Sequence, residues 1–293
     1  MRDQAEQLRE RLLQRVEKPR QTRLITVTSG KGGVGKSNFT LNFALGLMER
    51  GQKVVIFDVD LGLANLDVLM GISAKKHLFH LLEKDLSIWD ILEKGPNGLE
   101  FIAGGSGFTQ IMNLEEDGLD KFFKEIELLQ GYADTIFLDT GAGLSKESLT
   151  FMLSADEVFL VTTPEPTAIT DAYAVIKMIH SKNPATPIRL VINRVSSSKE
   201  GRSTAEKLTM VAKKFLDMEL VTLGFVEDDS NVSKAVKVQR PFLLTYPHTQ
   251  ASKGIRNLVD TYIGSTRRST AVHSDADSSG LKGFLTKLKQ WMK

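Results

Sequence analysis

SGKGGVGKS, residues 29–37, decides how the rest of the chain is read. Before it stands LITVT, residues 24–28, an apolar β-branched run that reads as a strand; after it, residues 38–48 carry apolar positions at helical spacing. Gly30, Gly35, Lys36 and Ser37 fit the phosphate-loop pattern G-x-x-x-x-G-K-[ST] in the strand-to-helix setting that gives it meaning. Glycines at 30, 32, 33 and 35 let the backbone take positive φ and approach a ligand closely, so that successive N–H groups face phosphate oxygens. The contacting stretch runs from Gly30 through Lys31, Gly32, Gly33, Val34, Gly35, Lys36 and Ser37 to Asn38, with the positive end of the following helix behind it. Lys36 is the expected point charge on the β and γ phosphates, and the Ser37 hydroxyl the expected ligand of a Mg²⁺ ion bridging them.

Composition bounds the rest. With 293 residues and 41% hydrophobic content, one α/β core of roughly 240 residues with short appendages is expected. There is no cysteine, which excludes disulfides, thiolate metal sites and iron–sulfur clusters. No apolar run approaches the length of a membrane span and no signal-peptide core is present, so a cytoplasmic protein is expected. Net charge is +2 but uneven: residues 1–23 hold seven Lys/Arg against four Asp/Glu, residues 264–293 six against two, and the core between them is acidic. Both ends, rather than the core, are the places to meet acidic surfaces, and no nucleic-acid partner is expected.

Further along, KVVIFDVD (53–60) reads as a buried parallel strand delivering Asp60 to the ligand edge of an open sheet. Residues 77–92 are amphipathic and read as a helix. DTIFLDT (134–140) is a further strand, and Asp139 at its end, followed by GAG (141–143), fits the Walker B carboxylate that holds a Mg²⁺-bound water. Gly141 is placed to give its N–H to a γ phosphate, making this loop a natural switch. IRLVINRV (188–195) ends in Asn193 and Arg194. The expected architecture is a P-loop NTPase with a mostly parallel twisted sheet of about seven or eight strands and helices on both faces. No NKxD guanine motif is present, which favours ATP/ADP over the guanine nucleotides.

Lys31 goes beyond the phosphate-loop pattern. KGGVGKS resembles the deviant Walker A motif of the MinD/ParA group of ATPases, and DQAEQLR (3–9), DLGLANLD (60–67), DTGAG (139–143) and TPEPTAITDAY (163–173) resemble the FlhG (YlxH/FleN) branch of that group, regulators of flagellar number and placement. The resemblance covers nearly the whole chain. It implies ATP-dependent homodimerisation in which Lys31 reaches the nucleotide of the other subunit, with Asp60 positioning the attacking water and, with Asp139, contacting Mg²⁺ through water. It further implies that Asn193 and Arg194, with Val226, Glu227 and Asp228, flank the adenine; a plain strand-end asparagine remains the alternative for Asn193. The same resemblance implies that Asp3, Gln4, Leu8 and Arg9 activate an FlhF-like, SRP-type GTPase, and that C-ring proteins of the FliM/FliY kind are further partners. Rival readings are a division-site MinD, a ParA-type DNA-partitioning ATPase and an ATP-dependent metabolic enzyme of the same superfamily.

The ends carry their own patterns. Residues 1–20 read as a short amphipathic helix that docks on its own core or on a partner. The ATPase core is expected over 21–263, and the polar, Ser-rich stretch 264–280 reads as a linker. In LKGFLTKLKQWMK (281–293), Leu281, Phe284, Leu285, Leu288, Trp291 and Met292 share one helical face while Lys282, Lys287, Lys289 and Lys293 occupy the others. Too short to span a bilayer, such a helix suits the surface of an anionic membrane, which would place the ATP-bound protein at the inner face of the cell membrane. Docking on the core and calmodulin-like capture are the alternatives.

Overall fold

The computed structural model describes residues 22–60, 65–78, 80–83, 86–104, 116–269 and 280–292. In chain order the elements are β1 (Arg23–Thr28), α1 (Lys36–Met48), β2 (Val54–Val59), α2 (Leu66–Met70), α3 (His80–Glu83), α4 (Ile88–Ile91), β3 (Glu93–Lys94), β4 (Glu100–Ile102), α5 (Glu116–Glu127) and β5 (Thr135–Thr140). There follow α6 (Lys146–Ser154), β6 (Glu157–Thr162), α7 (Pro166–Lys182), β7 (Ile188–Val195), α8 (Ser198–Leu216), β8 (Val221–Glu227), α9 (Ser230–Lys237), α10 (Phe242–Thr245), α11 (Gln250–Ser269) and α12 (Leu281–Met292).

The eight strands form one sheet in the order β3-β4-β2-β5-β1-β6-β7-β8, parallel except for the short edge strand β3. The continuous apolar runs of the central strands reflect burial on both sides. In β1, Leu24 points into one core and Ile25 into the other; in β7, Ile188, Leu190 and Ile192 face one way and Val191 the opposite. Helices α1, α2 and α9–α11 cover the first face, with Phe43 packed edge-on against Phe137 and Phe159. Helices α3–α8 and α12 cover the second. Strand β5 lies on one side of β1 and β6, the next strand in sequence, on the other, so the chain reverses its winding around β1 and opens a crevice there.

Three local expectations are corrected. The stretch 77–92 is not one helix, because Ser87 and Asp90 form a reciprocal capping box that starts α4 afresh. Helix α11 continues to Ser269, past the expected boundary at 263; the rest of the expected linker, residues 270–279, lies outside the described residues, as do residues 1–21 and the activator positions Asp3, Gln4, Leu8 and Arg9 within them. The third concerns α12. Its residues Leu281, Phe284, Leu285 and Leu288 are buried in the second core beside Phe151 of α6, so the face expected to meet lipid is covered by protein in this conformation. The start of α12 is fastened by Gly280 N donating to Asp156 Oδ1 at 3.1 Å and Leu281 N to Gln130 Oε1 at 3.0 Å. Lys289 meets Asp120 at 2.7 Å and Lys282 meets Glu127 at 3.0 Å. Trp291 is half-buried against the cluster under α7 and α8, and Lys287 is half-buried. The Met292 side chain and Lys293 lie outside the described residues.

Candidate nucleotide-binding site

The carboxyl end of β1 opens into the phosphate loop, whose two glycines at positive φ, Gly33 (80°) and Gly35 (91°), turn the chain into α1. Gly30 is required for a different reason: a methyl group there would come 2.3 Å from the Asp171 backbone of α7. Two cross-links brace the loop. Gly143 N donates to Ser29 O at 2.8 Å, tying in the segment after β5, and Asn193 Nδ2 donates to Val34 O at 2.8 Å from the end of β7. Asn38 is half-buried in the first turn of α1, its carbonyl accepting from Asn42 Nδ2 at 2.7 Å.

Within this cradle Lys36 is 7% exposed and Asp139 1%. Lys36 Nζ donates to Asp139 Oδ1 at 2.9 Å and lies 3.2 Å from Ser37 Oγ. The same Asp139 oxygen accepts a 2.8 Å bond from the Thr40 hydroxyl, one helical turn along α1. Thr40 falls outside the phosphate-loop pattern, and its part in the site is seen only where α1 packs against the end of β5.

A second carboxylate joins from β2. Asp58 stands opposite Asp139 in strand register and is 2% exposed. Burial, and then the Asp139 charge beside it, push its carboxyl up to about 7, against the opposing pull of the backbone N–H groups of Leu66 and Asp60 and of the Lys36 cation. Asp60 follows at the rim, where a methyl group on Gly141 would come 3.1 Å from its Oδ1; the segments after β2 and β5 therefore touch at Asp60 and Gly141.

Lys31 stands on the opposite lip. Its Nζ bonds Glu165 Oε2 at 3.2 Å and Thr167 Oγ1 at 2.9 Å, both at the start of α7, with both charged side chains substantially exposed. Beyond it an open cleft is lined by Thr163, Pro164, Glu165, Arg194, Ser196, Glu200 and Asp228. Arg194, in the left-handed region at φ 57°, turns its Nε to 3.4 Å from Asp228 Oδ1. Val226 pairs with Asn193 in the sheet and Glu227 with Val195. The expected base-flanking residues Asn193, Arg194, Val226, Glu227 and Asp228 are thus gathered at one edge of the phosphate loop, with the Asn193 amide donating to that loop.

The donor set suits Mg²⁺ rather than a metal held by protein alone. Among the described residues no group of three or more His, Cys, Asp or Glu side chains forms a cage. What lies together is the Ser37 hydroxyl, Lys36 and the Asp139 carboxylate, a set that would leave most of the ligands of a Mg²⁺ ion to phosphate and water oxygens.

Residues 25–242 match the model of the CobQ/CobB/MinD/ParA nucleotide binding domain. The chain is 38% identical over 245 residues to the antiactivator FleN of Pseudomonas aeruginosa, covering 82% of this chain and 86% of that one. It is 37% identical over 273 residues to the flagellum site-determining protein YlxH of Helicobacter pylori, covering 92% and 91%. The fold is shared with the septum site-determining protein MinD of Pyrococcus horikoshii in complex with Mg-ADP, at TM-score 0.66 and 24% identity over 86% of this chain and all of that one.

Proposed function

The chain belongs to the CobQ/CobB/MinD/ParA nucleotide-binding family, and from that premise we propose that it is an ATP-hydrolysing dimerisation switch that regulates the number and placement of flagella. The observation that carries this reading is the pairing of Lys36 with Asp139. A cation aimed into a phosphate cradle, held by the carboxylate at the end of the neighbouring strand, is set to exchange that partner for the β and γ phosphates of ATP. The Ser37 hydroxyl would help to hold Mg²⁺, which when bound would supply charge neutralisation at the transferring group.

The residues divide the work by position. The backbone of 30–37 holds the phosphates, and Lys36 orients them. Asp60 is assigned to the attacking water, and an ordinary carboxylate would serve there by orienting that water more than by removing its proton. Lys31 is the cation on the outer lip. In a face-to-face pair it leaves Glu165 and Thr167 for the terminal phosphate of the other subunit, doing in trans what an arginine finger does. Turnover per molecule should therefore rise with protein concentration; a rate independent of concentration down to the nanomolar range contradicts a dimer-dependent site.

Membrane attachment is assigned to α12 in an alternative, released position. Four buried apolar side chains at about 1.5–3 kcal/mol each hold it on the core, and a bilayer surface returns a similar burial. Lysines 282, 287, 289 and 293 add about 1 kcal/mol each near an anionic leaflet. Helix α6, on which α12 lies, is capped by Ser145 directly after the segment that follows Asp139, so a change there at nucleotide binding would act on the support of α12. Two tails in one dimer raise membrane occupancy by effective concentration, placing the protein at the inner face of the cell membrane with ATP and in the cytoplasm after hydrolysis. Among the described residues no helix is long and apolar enough to cross a membrane. For the N-terminal segment, Asp3, Gln4, Leu8 and Arg9 are assigned to stimulating an FlhF-like SRP-type GTPase, tested by GTP turnover of that enzyme with and without residues 1–20. Flagellar C-ring proteins of the FliM/FliY kind are proposed as further partners on the family likeness.

A further inference from the structure

The end of β2 carries a carboxylate that the phosphate-loop motifs do not name. Asp58 Oδ1 accepts from Asp60 N at 3.2 Å, and its Oδ2 accepts from Asn65 N at 3.1 Å and Leu66 N at 3.3 Å. These donors lie on either side of residues 61–64, so one side chain ties the exit of β2 to the first turn of α2. The strand end is pinned from outside as well: a methyl group on Gly104 would fall 1.8 Å from the Asp58 carbonyl oxygen, so only glycine lets the chain after β4 come so near. On the inner side lies the contact of Asp60 with Gly141. The chemical identity matters. Both carboxyl oxygens are placed to accept, one from Asp60 N and the other from Asn65 N and Leu66 N, whereas an amide would turn its own donor toward one of these groups.

We propose that Asp58 is a positioning residue for ATP hydrolysis: by clipping together both ends of the segment after β2, it fixes the direction in which Asp60 faces the terminal phosphate. This rests on the ATPase reading and deepens it. Asp58 stays behind the phosphate loop; its effect passes through the Asp60 backbone. The phosphate loop itself hangs on β1 and α1, so nucleotide affinity is set separately from the clip.

The test uses the full chain carrying Asp58→Ala or Asp58→Asn, with steady-state Mg-ATP kinetics and amide hydrogen exchange at residues 60, 65 and 66. Expected for Asp58→Ala is a fall in kcat of at least about tenfold with KM within about twofold of the parent, together with faster exchange at those amides. Asp58→Asn, keeping one acceptor, should fall between parent and Asp58→Ala, and it carries the test alone should the alanine variant fail to fold. Parental kcat in both variants, a rise in KM alone, unchanged exchange, or an asparagine variant as impaired as the alanine one would each overturn the inference. A parent chain that hydrolyses no ATP would sink the ATPase reading instead, and the exchange measurement still reports on the clip.

Discussion

Lys36 Nζ lies 2.9 Å from Asp139 Oδ1, and the two side chains are all but excluded from solvent. A buried ion pair of this kind contributes little net stability, but removing one partner strands the other. Lys36→Ala should therefore do two things. It should abolish nucleotide binding, read by fluorescence of a labelled ATP. It should also lower stability in urea by about 3 kcal/mol, because Asp139 and Asp58 would then lie side by side without a cation. Adding Asp139→Asn should restore most of the stability and none of the binding; a Lys36→Ala chain as stable as the parent would show that the pair is not buried as described.

A methyl group on Gly141 would come 3.1 Å from Asp60 Oδ1, so the segments after β2 and β5 lie close together there. Asp60→Ala should leave ATP binding intact while lowering turnover by at least about tenfold, accumulating an ATP-bound dimer. Single-turnover phosphate release at the parental rate would remove Asp60 from the mechanism.

Asp58 gives a pH dependence with a definite sign. Its carboxyl is raised to about 7 in the folded nucleotide-free chain, so between the ordinary aspartate value and about 7 the folded state binds more protons than the unfolded one. Stability from this group is complete at low pH and lost as pH climbs through about 7, on the order of a few kcal/mol in all. Asp58→Asn should remove that slope. Urea midpoints at pH 5.5 and 8 decide; a parental slope in the variant contradicts the assignment.

Helix α12 is fastened on one side by the exposed pairs of Lys289 with Asp120 and Lys282 with Glu127. Exposed pairs of this kind are weak and screened by salt. Asp120→Ala with Glu127→Ala should thus raise sedimentation with anionic vesicles in the absence of nucleotide by roughly two- to fivefold, leaving the lysines to meet lipid. Deleting 281–293 should abolish sedimentation and destabilise the chain, since it uncovers Phe151 and its neighbours. Sedimentation that survives the deletion would show that the tail is not the membrane contact.

The phosphate loop was legible because its glycines meet backbone requirements that depend on neighbours in sequence; Gly33 and Gly35 adopt the positive φ their residue type allows. Asp139 was legible from its place at the end of an apolar run. Thr40 and Asp58 were not, since Thr40 acquires its role only where α1 packs against the end of β5, and Asp58 only from the register of β5 against β2, long-range facts with no local pattern. The period of residues 281–293 gave the correct face but not its cover, because a protein core and a bilayer surface select the same spacing of apolar side chains. Asn193 shows a similar limit: its position at the end of β7 was readable, its bond to Val34 was not.

Lys31 rests on Glu165 and Thr167, and the proposed pairing of two chains turns on its release from them. The most direct measurement is light scattering coupled to size exclusion on the parent and on Lys31→Ala, each with Mg-ADP and with a non-hydrolysable ATP analogue. The parent should elute with the mass of one chain in ADP and of two in the analogue, and Lys31→Ala with the mass of one chain in both. A parent that remains single with the analogue, or a Lys31→Ala chain that pairs as readily as the parent, would contradict the proposed switch.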